Sequence, residues 1–202
     1  LNGGQFFKEI RREERDMIEI GAGLDPGDAG ADRLEVGAQG AAARNLRHVD
    51  IQRIKGLRRV YQGQASPELE ARIADETKRK AAAFASVTDR DDFKSGFSAP
   101  LRDFRVTARF GGQRIIDGRP RPPHYGIDLA APNGTPVSTP AGGLVVLADP
   151  GMLFEGGLVM IDHGQGLVSA YLHLSSVDVS SGQILARGQR LGAVGSTGRA
   201  TG

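Results

Sequence analysis

From Phe97 onward the chain is cut repeatedly by turn-forming residues, and this punctuation confines it to short elements. β-like runs at Arg105 to Phe110, Ile127 to Ala130, Leu144 to Ala148, Leu158 to Ile161, Leu167 to Leu174 and Arg190 to Val194 alternate with Asn133-Gly134, Gly142-Gly143, Gly156-Gly157 and Ser181-Gly182. Runs this short, rich in branched apolar residues and bounded by Gly and Asn, suit strands and leave no room for long helices. Strands at such spacing predict a mainly β fold, an antiparallel sandwich or half-open barrel.

The first half reads differently. Ser66-Pro67-Glu68 carries a capping hydroxyl, a proline at the first helical position and acidic residues in the first turn, which predicts a helix over 67–85. Its Lys78-Arg79-Lys80 cluster sits beside Asp75 and Glu76 without interleaved aromatics, so a solvated linker helix is expected there. Apolar positions among charges predict a further helix over Gln5 to Ile20; Gly21 to Gly40 reads as loop with short irregular strand. His48 to Leu57 predicts a strand turning at Gly56, with His48 structural or exposed. The boundary between this helical and irregular N-terminal region, 1–96, and the β-domain, 97–202, falls near residue 96.

Composition closes off several kinds of chemistry. With no cysteine, there is no disulfide, thiolate ligand or thiol nucleophile, and metal ligands must come from His and carboxylates. The 26 basic and 24 acidic residues nearly cancel, so no broad nucleic-acid surface is forced. No apolar run approaches the ~20 residues of a membrane helix. The chain begins at Leu1, and a signal or anchor removed upstream is expected.

The chemistry-bearing stretch is Arg121-Pro122-Pro123-His124-Tyr125-Gly126-Ile127-Asp128. Its prolines forbid a helix, and a fully extended strand would hold the His124 and Asp128 Cα atoms roughly 13 Å apart, too far for one shared ion. The segment must bend, and Gly126 is the residue that permits it. On spacing alone, a zinc pair and a turn histidine beside a surface aspartate both stay open. In Leu167 to Leu174, period-two alternation puts Ser169, Tyr171 and His173 on one face and Ala170, Leu172 and Leu174 on the other. With the leucines in the core, His173 would look outward toward a groove. His163, in Asp162-His163-Gly164-Gln165-Gly166, reads as a residue that steadies a hairpin turn.

Taken in order, HYGID, AAPNGTPV, the PAGG strand entry, IDHGQG, YLHLS, SGQ with RGQRLG, and GSTGRATG closely resemble the lysostaphin-type, LytM-like zinc metallopeptidases that cut peptide cross-links in bacterial peptidoglycan. The resemblance covers about Phe97 to Gly202. It implies zinc as cofactor, His124 and Asp128 as metal ligands and His173 as a catalytic histidine. It also implies a third ligand in a Pro-His-x-His strand beyond Gly202. Tyr125 and Arg114 are the candidate substrate-binding residues; Arg114, Arg119 and Arg121 either meet the carboxylates of a stem peptide or stand in solvent as loop arginines. Expected partners are peptidoglycan peptides, in the periplasm or cell envelope, together with a cell-wall amidase or divisome partner.

Two alternatives differ in kind. A LytM-like module that regulates cell-wall amidases without cutting is the first; retention of His124, Asp128 and His173 together speaks against it. A lipoyl- or biotin-carrier-like sandwich is the second, but it needs a lysine at a hairpin tip, and none follows Lys94.

Overall fold

The computed structural model describes residues 51–54, 66–116, 118–120 and 122–200. The predicted Gln5–Ile20 helix, the Gly21–Gly40 loop, His48 and Arg121 lie outside the described residues.

Twelve strands, one α-helix and a short 3-10 helix at Asp92–Ser95 make up the described chain. The helix, α1 (Pro67–Phe84), begins as its sequence dictates: the Ser66 hydroxyl accepts the Leu69 N–H at 3.3 Å, with Pro67 following the cap.

The β part is a curled, mainly antiparallel half-barrel. Its centre is a sheet in the order β11-β7-β8-β9, formed by β7 (Gly143–Met152), β8 (Gly156–Asp162), β9 (Val168–Leu174) and β11 (Ile184–Leu185). A second sheet orders β10 (Ser176–Val177), β12 (Arg190–Ala193) and β6 (Pro136–Ser138). The pair β2 (Arg105–Ala108) and β5 (Asp128–Ala130) is antiparallel. β1 (Ile51–Ile54), β3 (Gln113–Ile116) and β4 (Arg119–Pro120) form a third sheet in which β1 and β3 run parallel. Each expected strand is present within a few residues. β4, β6, β10 and β11, of two or three residues, are too short to announce themselves by alternation, and β3 was not expected.

Both faces of the central sheet are covered. Val145, Val159, Ile161, Tyr171 and Leu174 join Leu129, Val137 and Leu191 in one apolar cluster. Leu147, Leu158, Met160, Ala170 and Leu172 join Ala83 and Phe84 of α1 in another. A sheet buried on both sides needs apolar residues at consecutive positions, which is why Leu158-Val159-Met160-Ile161 is unbroken.

This double burial corrects the expectation for β9. Ser169 and Tyr171 do not face outward: they are 3% and 0% exposed, and His173 is itself 8% exposed. Alternation also fails at His173, whose φ is +62°. That left-handed residue turns the strand, so Leu174 joins Tyr171 rather than Leu172.

α1 packs against the sheet rather than standing in solvent. Arg79 pairs with Asp149 at 2.7 Å and Lys80 with Glu155, which leaves Lys78 as the exposed member of the basic cluster. Contacts also cross residue 96: Ser86 donates to Asp162 at 2.7 Å, and the Gln165 N–H to Thr88 O at 2.9 Å.

Candidate active site

His124 is fixed by the β2–β3 turn. Its N–H donates to Gly112 O at 2.8 Å and its carbonyl accepts the Gly111 N–H at 2.7 Å. Gly111 has φ +79°, a conformation in which a side chain would be strained. The chain then bends at Gly126 and enters β5, whose first residue, Asp128, is held opposite Ala108.

This bend closes the gap that an extended strand would leave. His124 Nε2 lies 3.2 Å from Asp128 Oδ1, with the two residues 1% and 5% exposed. The other oxygen, Oδ2, faces Arg114 Nη2 at 3.6 Å. Two donors of a tetrahedral zinc site, each about 2.0–2.1 Å from the ion, lie about 3.3 Å apart. The imidazole and carboxylate therefore fit one edge of such a site. Among the described residues, no three His, Asp or Glu side chains gather into a metal-holding group.

His173 ends β9. Its Nδ1–H donates to Thr197 O at 2.8 Å and its backbone N–H to Glu155 O at 2.7 Å. A carbonyl can only accept, so the neutral ring carries its proton on Nδ1 and its lone pair on Nε2. Thr197 had no assigned role in the sequence, although it belongs to the GSTGRATG motif. Only the fold shows what its carbonyl meets.

Of the other expected site residues, Tyr125 is half-buried beside His124 in sequence, and Arg119 is exposed on β4. Arg114 contacts the Asp128 carboxylate instead of standing clear in solvent.

His163 opens the β8–β9 hairpin, fully buried. Its Nδ1–H donates to Gly142 O at 2.5 Å, so its Nε2 accepts from the Ser169 hydroxyl at 2.7 Å, and Ser169 Oγ lies 2.9 Å from Tyr171 Oη. Burial pushes the imidazole below its ordinary range, partly offset by the Gly142 bond and by Asp162 and Asp92. Burial likewise pushes the Tyr171 phenol upward. This network lies under the sheet, and sequence could show only its turn.

Comparison with known proteins decides the family. The model of peptidase family M23 matches residues 122–202. The catalytic domain of the prophage-encoded M23 protein EnpA from Enterococcus faecalis is 34% identical, over 52% of this chain and 79% of that one, with a TM-score of 0.45. Residues 122–202 belong to peptidase family M23. A Pseudomonas aeruginosa crystal structure described as a peptidase M23 matches at TM-score 0.59 and 38% identity, over 69% of this chain and 56% of that one. The peptidoglycan DD-endopeptidase ShyA of Vibrio cholerae is 42% identical over 100 residues, covering 49% of this chain and 23% of ShyA. The chain spans roughly a fifth to a quarter of the length of the curated relatives it matches. His124, Asp128 and His173 all fall within the matched M23 segment.

Proposed function

We propose that this M23 domain is a zinc-dependent peptidoglycan endopeptidase, hydrolysing peptide cross-links or stem peptides at the cell envelope. The observation that carries it is the buried His124–Asp128 pair, 3.2 Å between donor atoms, inside the segment matched to the family. His124 and Asp128 would hold the ion, and a third ligand would come from residues beyond Gly202. When bound, zinc supplies Lewis acidity and an activated water for amide hydrolysis.

The chain's own residues set the remaining conditions. Burial of His124 and Asp128 keeps bulk water from competing for the donors and strengthens the field they create. The Thr197 carbonyl keeps the His173 proton on Nδ1, so Nε2 would take a proton from the attacking water and, as imidazolium, return it to the departing amine. Arg114 and Tyr125 would meet a carboxylate-bearing peptide, Arg114 by exchanging its 3.6 Å contact with Asp128 for the substrate.

The test is turnover of cross-linked muropeptides, with zinc content, by the chain extended past Gly202. His173→Ala should lower kcat about 10²–10⁴-fold while zinc stays bound. Asp128→Asn should lose the zinc. Stoichiometric zinc without any cleavage would favour an amidase-regulating module, and cleavage insensitive to both substitutions would sink the assignment.

A further inference from the structure

The β7–β8 hairpin turn, Leu153-Phe154-Glu155, is gripped from two sides. On one side is α1. The Leu153 N–H donates to Glu76 Oε2 at 2.9 Å, and Lys80 Nζ pairs with Glu155 Oε1. Glu76 is the buried carboxylate of the helix, at 6% exposure, and its other oxygen accepts Arg72 Nε at 2.7 Å. Arg72 reaches on to Gly151 O at 2.6 Å. The Lys80 and Glu155 side chains are 16% and 14% exposed, so salt screens them far less than an ordinary surface pair.

On the other side is the candidate active site. The carbonyl of Glu155 accepts the His173 N–H at 2.7 Å, and that of Phe154 accepts the Arg199 N–H at 2.8 Å. The Arg199 guanidinium lies 4.7 Å from the Phe154 ring centroid. The Gly157 N–H donates to Thr197 Oγ1 at 2.9 Å, and the same threonine's carbonyl holds His173 Nδ1 at 2.8 Å. One residue, Glu155, thus offers its side chain to the helix and its backbone to the histidine.

His173 needs such help. At φ +62° a residue with a side chain is strained in its backbone, and it stays there only when its surroundings over-determine it. The Glu155 carbonyl and the Thr197 carbonyl are two of the contacts that do so.

We infer that α1 is a positioning element for His173, with Glu76 and Lys80 holding the turn that sets the histidine's backbone and, through Thr197 and Arg199, its tautomer. Resting on the assignment of His173 as the catalytic histidine, this gives residues 67–84 a part in the site that a tether would not have.

The experiment compares Lys80→Glu, Glu155→Lys and the two together in the full 202-residue chain. Amide hydrogen exchange is read at His173 and Arg199, and at Thr139 and Asp178, whose N–H groups bond Gln189 O and Leu191 O in the second sheet region. Imidazole ¹⁵N resonances report the His173 tautomer. Each single substitution should speed exchange at His173 and Arg199 about tenfold or more, with Thr139 and Asp178 unchanged, and should mix the tautomers. The charge-swapped double variant should restore both readings. Unchanged exchange at His173, uniform acceleration at all four amides, or failure of the swap to rescue would each overturn the inference. A chain that shows this coupling and cleaves nothing would fail the peptidase assignment alone; one whose extended form cleaves peptide without the coupling would fail this inference alone.

Discussion

His163 and His173 both give their Nδ1 proton to a backbone carbonyl, and both are buried. The Nε2 of His163 is enclosed with Ser169, where a positive charge has no water to stabilise it. Its pKa in the folded chain lies below the ordinary value of 6.5. The unfolded chain therefore binds the extra proton more readily, and the stability this histidine provides is complete above about pH 6.5 and falls as pH drops toward the folded value. One such proton is worth at most about 1.4 kcal/mol per pH unit. Chemical denaturation from pH 5 to 8 should show a shallower pH dependence in His163→Gln than in the parent; equal slopes would mean that His163 is not the group responsible. At this scale the sequence was partly legible. The prolines and Gly126 announced that the segment bends, because that follows from local geometry, but spacing alone left open whether His124 and Asp128 meet across the bend. The burial of Ser169 and Tyr171 could not be read, since period-two alternation marks two faces without saying that both are covered.

α1 was the most legible element because its start is written in adjacent residues. Ser66, Pro67 and Glu68 act within one turn, and the observed helix ends one residue short of the expected limit. Ser66→Ala should cost about 0.5–1 kcal/mol, at the lower end of capping effects because the bond to Leu69 N–H is 3.3 Å long. Urea denaturation would measure it, and an unchanged midpoint would assign the helix's stability to its docking alone. What the helix does with its basic residues was not legible, because Asp149 and Glu155 lie some seventy positions onward on a hairpin. Close approaches between elements were equally silent. Gly164, at φ +108°, has the Arg90 backbone where a Cβ would go, so the hairpin and the segment after α1 touch through the glycine's missing side chain.

For the whole molecule, the strand-and-turn rhythm after Phe97 was enough to indicate a mainly β fold, since short runs and frequent turns leave few other ways to bury apolar residues. Sheet order and the parallel pairing of β1 with β3 depend on distant partners and had no local sign. The second apolar cluster, closed on one side by Ala83 and Phe84, bears on how the protein can be handled. Cutting it at residue 97, where the β rhythm starts, would bare Leu147, Met160, Ala170 and Leu172 to water as one contiguous patch. Such a trimmed polypeptide should self-associate in sedimentation or light scattering, where a version beginning at Ser66 stays dispersed. The two behaving alike would mean that the helix is dispensable for solubility. For anyone expressing or secreting this domain, α1 belongs to the piece that must be kept, and protease treatment that clips between residues 85 and 97 would convert a dispersed preparation into a sticky one.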